Sequence, residues 1–135
     1  MSNQLSRTVR VLFILGTAAF LASFAAAQVD LCNRDSKKFD IKIKVKDNTP
    51  TEVEKDDQNA DDLHVCRGDT IKWKLRNNKF FITFPDKTPA DSHVKISKFG
   101  NITMVVSDTA ERGVSYKYDI GLDGGGTLDP RLIVD

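Results

Sequence analysis

Residues Phe39 to Lys46 alternate without a break: Phe39, Ile41, Ile43 and Val45 are apolar, and Asp40, Lys42, Lys44 and Lys46 are charged. A period of two places the two sets on opposite faces of a β-strand, one against a core and one in water. The lysines of the solvent face also oppose edge-to-edge pairing with another chain. The pattern returns at Ile71, Trp73 and Leu75, interleaved with Lys72, Lys74 and Arg76. No long amphipathic helix is predicted anywhere beyond the N-terminal apolar run. Alternation of this kind confines the chain to a sheet protein.

The remaining segments extend that reading. Phe80 to Phe84, FFITF, is aromatic and β-branched and predicts a heavily buried strand. His93 to Ser97, Ile102 to Val106, Val114 to Ile120 and Leu132 to Val134 are further strands. Turn signals at Gly68-Asp69, Asn77-Asn78, Gly100-Asn101 and Arg112-Gly113 separate them. Asp47 to Asp62, which contains Pro50 and the run DDQNADD, reads as a loop with one short extended piece around Glu52 to Glu54. Pro85 to Ser92 reads as a second loop. The expected fold is all-β, a sandwich or barrel of about seven or eight strands, without internal repeat or interdomain linker.

Residues 1–27 have the organisation of a secretory signal peptide. Arg7 and Arg10 precede an apolar core, Val11 to Phe24, and Ala25-Ala26-Ala27 supplies small residues for cleavage before Gln28. The apolar run is shorter than the roughly 20 residues a spanning helix needs, so no membrane span is expected after cleavage. Leu31 before Cys32 argues against a lipoprotein signal. The domain is then residues 28–135, secreted or periplasmic. Without Arg7 and Arg10 it carries one more acidic than basic residue, a balance that argues against nucleic acid as a partner. A monomer is expected.

Cys32 and Cys66 are the only cysteines. An even count in an exported chain predicts one disulfide, closing a loop of about 33 residues. His64 and His93 are the only histidines and the candidate metal ligands. His64 and Cys66 stand two apart on a predicted strand and so share a face, which with His93 or Met104 nearby suggests a soft-metal site for Cu(I) or Zn. The glycine-rich acidic stretch Asp119 to Asp129 fails the calcium-loop pattern, since Gly121 and Pro130 fall where oxygen ligands belong. No phosphate-binding motif and no nucleophile elbow is present, and no enzymatic activity is expected.

Val65 to Trp73, VCRGDTIKW, and Tyr116 to Asp135, YKYDIGLDGGGTLDPRLIVD, together resemble segments of the cupredoxins. Val65, Gly68, Asp69, Ile71 and Trp73 match the strand that leads toward the first copper-binding histidine in that family. Tyr116 and Tyr118 match the aromatic pair before the ligand loop, and Leu132, Ile133 and Val134 match the final strand. The resemblance implies a cupredoxin-like Greek-key β-sandwich. It also implies where copper ligands would stand: the cysteine at Ile120, the second histidine at Asp123, the methionine near Leu128, and the first histidine at Phe80 or Phe81. None of these residues is the ligand the family uses, so the chain resembles a member without the type 1 copper site. No cofactor is then expected, copper being the one considered.

The expected function is that of a binding or interaction module for a protein partner or small ligand. Phe81, Ile120, Asp123 and Leu128 form the expected contact surface. The alternative is a periplasmic copper carrier with a non-standard site built on His64 and His93.

Overall fold

The computed structural model describes residues 30–135; the predicted signal peptide lies outside the described residues. Cys32–Asp135 forms one compact unit, and it carries the sheets. Among the described residues the strands are β1 Lys38–Lys46, β2 Thr49–Lys55, β3 Gln58–Asn59, β4 Asp62–Val65, β5 Thr70–Lys74, β6 Phe80–Thr83, β7 Val94–Ile96, β8 Asn101–Val105, β9 Val114–Lys117, β10 Asp119–Leu122, β11 Thr127–Leu128 and β12 Arg131–Val134. They form a five-stranded sheet in the order β3-β2-β1-β5-β8, a four-stranded sheet β11-β10-β6-β7 and a three-stranded sheet β4-β12-β9. The all-β class expected from the alternation is what the chain adopts.

β1 buries Phe39, Ile41 and Ile43 and exposes its charged residues. It pairs with β5 in parallel, Ile41 opposite Trp73, and with β2 antiparallel. Here the structure corrects the predicted loop at 47–62, which contains β2, β3 and the first residue of β4. Two-residue turns at Asp47-Asn48 and Asp56-Asp57, all four with positive φ, are the hairpin turns that Asn and Asp favour. β2 looks polar because its outer residues meet the lysines of β1: Lys44 pairs with Glu54 and, at 3.7 Å, with Glu52. Pro50 and Val53 are the apolar anchors of that strand, both buried.

The segment before β1 is locked onto the β4–β5 corner. Cys32 and Cys66 form a disulfide, with Cα atoms 5.6 Å apart. Asp69, fully buried, accepts from Arg34 through both carboxylate oxygens at 2.9 and 2.7 Å. It also accepts backbone N–H bonds from Lys37 and Cys66, each at 2.8 Å. Burial alone would raise the Asp69 pKa, but the Arg34 bond and the two backbone donors outweigh it and hold the carboxyl below its ordinary value. Gly68, at φ 84°, makes the turn that aims this carboxylate inward.

The core gathers side chains from all three sheets around Trp73, Phe80, Phe84 and Tyr118. Trp73 Nε1 donates to the Tyr118 hydroxyl at 3.2 Å, and the rings meet edge-on with centroids 5.5 Å apart. Phe84 lies 5.6 Å from the same tyrosine ring. Full burial drives the Tyr118 hydroxyl pKa far above the usual phenol value. Val114 to Ile120, expected as one strand, is two. β9 pairs with β12 and β10 with β6, so the chain changes sheets at Tyr118, whose N–H donates to Pro130 O at 3.0 Å.

Candidate functional site

The four-stranded sheet has one face in the core and one in water. On β6, Phe80 and Ile82 point inward while Phe81 and Thr83 are half-exposed. Antiparallel register sets Gly121 of β10 opposite Phe81, and Phe81 opposite Ile96 of β7. The next row carries Asp119, Thr83 and Val94. Paired residues share a face, so Phe81, Ile96 and Val94 lie on the outer side. The Phe81 ring fills the place a side chain would take at Gly121: a Cβ there would sit 2.2 Å from Phe81 Cε2. Gly121→Ala must therefore move the ring off the sheet. We expect it to destabilise by about 1–3 kcal/mol in urea unfolding, with most of the loss restored when Phe81→Ala is added. An equal loss in both backgrounds would show that the ring does not depend on the glycine.

Phe81 and Asp123 line one shallow groove with Lys79, Val94 and Ile96. The other two expected contact residues do not join them. Ile120 is wholly buried, because the alternation of β10 turns it inward opposite Ile82; it is a core residue, not a surface one. Leu128 is half-buried and packs against the core.

The candidate metal ligands are not brought together. His64 lies on β4 of the three-stranded sheet, with Nδ1 2.9 Å from an Asp135 carboxylate oxygen. His93 precedes β7 in the four-stranded sheet, its Nδ1 2.9 Å from Phe84 O. The expected shared face of His64 and Cys66 is corrected too. β4 ends at Val65, so Cys66 turns into the interior while His64 stays in solvent. Met104 is buried in the core. Among the described residues no group of three or more His, Cys, Asp or Glu is placed to hold a metal ion. At the positions the family resemblance assigns to copper ligands, the one metal-binding side chain is the carboxylate of Asp123, and both cysteine sulfurs are in the disulfide. That donor set does not fit a blue-copper ion, which needs a thiolate and two imidazoles.

The sequence missed the apolar residues that reach solvent. Among the described residues, the large hydrophobic side chains that are exposed are Leu31 and four that all fall between Val94 and Val105: Val94, Ile96, Phe99 and Val105. β7 is the edge strand of the four-stranded sheet and β8 the edge of the five-stranded one. A tight turn, with Lys98 bridged to Asn101, joins them. In the sequence Val94 and Ile96 alternate with Lys95 like any half-buried strand, and only the register reveals that their face looks outward. The legible signal was Phe99, an aromatic side chain within a turn.

No family model matches the chain, and no curated protein matches it. Among solved structures it is similar to a reduced Cu(I) form of an amicyanin mutant at pH 4, with a TM-score of 0.41 and 18% identity over 82% of this chain and 89% of that one. A reduced state of a second amicyanin mutant gives a TM-score of 0.41 and 16% identity, covering 74% and 82% of the two chains. An oxidized third mutant gives 0.40 and 15%, covering 81% and 90%.

Proposed function

We propose that this chain is a secreted or periplasmic cupredoxin-like domain without a type 1 copper site, acting as an interaction module and not as an enzyme. The observation that carries the reading is the exposed apolar side of β7, where Val94 and Ile96 line one groove with Phe81, followed by the wholly exposed Phe99 in the next turn. Scattered surface hydrophobics are ordinary, whereas several that share one groove at an edge strand mark a surface that another molecule covers. The donor chemistry at the loop end supports the copper-free part of the proposal. His64 and His93 stand at different sheets, which counts against the carrier alternative.

The test is made on protein produced with its own leader in copper-supplemented medium and purified without chelator. Elemental analysis should find far less than one copper per chain, and the visible spectrum should lack the intense thiolate-to-copper band. One tightly held copper per chain would falsify the proposal.

A further inference from the structure

Phe99 is the outlier among the exposed apolar residues. Among the described residues, six non-glycine positions have positive φ, and five of them are Asp or Asn, whose short polar side chains tolerate the left-handed region. The sixth is Phe99 at φ 52°, followed by Gly100 at 76°. Lys98 and Asn101 exchange backbone hydrogen bonds across this pair at 3.0 and 3.1 Å. Phe99-Gly100 thus fills the two central slots of a hairpin turn that favours Asn-Gly. A bulky aromatic in the first slot is strained. Nothing inside the fold offsets that strain, because the ring is wholly exposed. Strain kept at a residue that packs against nothing of its own chain points to a contact made elsewhere.

The surroundings specify that contact. An open groove beside the turn is lined by Arg76, Lys79 and neutral residues, with no carboxylate, and Lys98 is exposed next to Phe99. Among the described residues none of these three cations forms an ion pair. Lys79 also walls the groove of Phe81, Val94, Ile96 and Asp123, so the two grooves meet at Lys79, and Asp123 at the far groove is the one carboxylate against three cations. We propose that this surface docks an acidic protein, with Phe99 seated in an apolar recess of that partner and Arg76, Lys79 and Lys98 facing its carboxylates. The proposal rests on reading the domain as an interaction module. An aromatic anchor with a charged rim is how compact interfaces concentrate binding energy. A bilayer suits the shape less well: one ring protrudes at the turn, while Val94 and Ile96 lie along a sheet face, and one aromatic with three cations gives only marginal membrane binding.

The test selects binders from a displayed library of random peptides rich in Asp and Glu, with vesicles of phosphatidylglycerol as the second probe. Selected peptides should carry carboxylates beside an aromatic or aliphatic anchor, and their binding should weaken with salt. Affinity should fall at least ten-fold in Phe99→Asn and in Arg76→Glu/Lys79→Glu. Phe99→Asn should also raise the thermal midpoint by a few degrees, because the turn then has its preferred Asn-Gly pair; loss of binding in a more stable protein cannot come from unfolding. Peptides that bind Phe99→Asn as well as wild type overturn this surface and leave the interaction reading standing. A library without binders overturns the proposal, and Phe99-dependent binding to the vesicles overturns the choice of partner. A stoichiometric copper in the purified protein would instead remove the reading beneath it.

Discussion

Replacing Asp69 by Asn should destabilise the domain by about 3–5 kcal/mol, the range for removing one partner of a buried ion pair. The carboxylate is fully buried and accepts four hydrogen bonds, two from Arg34 and two from backbone N–H groups. An asparagine amide turns one of its ends, an N–H donor, toward donors. Against a total stability of about 5–15 kcal/mol, the loss is easily read as a fall in the urea midpoint. The same site sets an acid limit. Because the folded-state pKa of Asp69 is depressed, its contribution is complete above the unfolded carboxyl value of about 3.9 and disappears as pH falls through the lower folded value. Wild type should therefore lose stability steeply below about pH 4, and Asp69→Asn should lose less over that interval. Parallel acid curves for the two proteins would show that other carboxylates set the limit.

The second large effect is expected from Cys32→Ser/Cys66→Ser. The bridge spans 34 residues, and the chain-entropy relation assigns such a loop about 3–4 kcal/mol at 25 °C. The disulfide and the Arg34–Asp69 pair restrain the same segment before β1, so their losses should not add. With the bridge gone, Asp69→Asn should cost less than it does in the bridged protein, by more than the roughly 0.5 kcal/mol within which independent sites add. Strict additivity in the double-mutant cycle would mean that the two restraints act on separate parts of the fold.

The sequence was legible where a strand's own side chains supply its anchoring. β1, β5, β6 and β8 announce themselves because one face of each is apolar and enters the core. β2 was hidden because its anchoring comes from elsewhere, from pairing with β1 and from glutamates that meet Lys44 across the strands. Its flanking Asp-Asn and Asp-Asp pairs were the available hairpin signals. The split of Val114 to Ile120 was hidden for another reason: Tyr116 and Tyr118 are both buried, and nothing local tells a continuing strand from one that changes sheets. At the candidate site, Phe81 and Asp123 were found from the family resemblance. Val94 and Ile96 were not, because which face of an alternating strand meets the core is decided by its neighbours in space.

β12 occupies the middle of the three-stranded sheet, between β4 and β9, and Arg131 pairs with Asp62 from 69 residues away. Neither flanking strand pairs with the other, so that sheet cannot begin to assemble while β12 is missing. For a chain that emerges N-terminus first, Leu63 and Val65 wait through the synthesis of almost the whole domain before they are covered. The interval between emergence and closure is thus written into the strand order, and it is then that a chaperone would find the protein most in need of shelter.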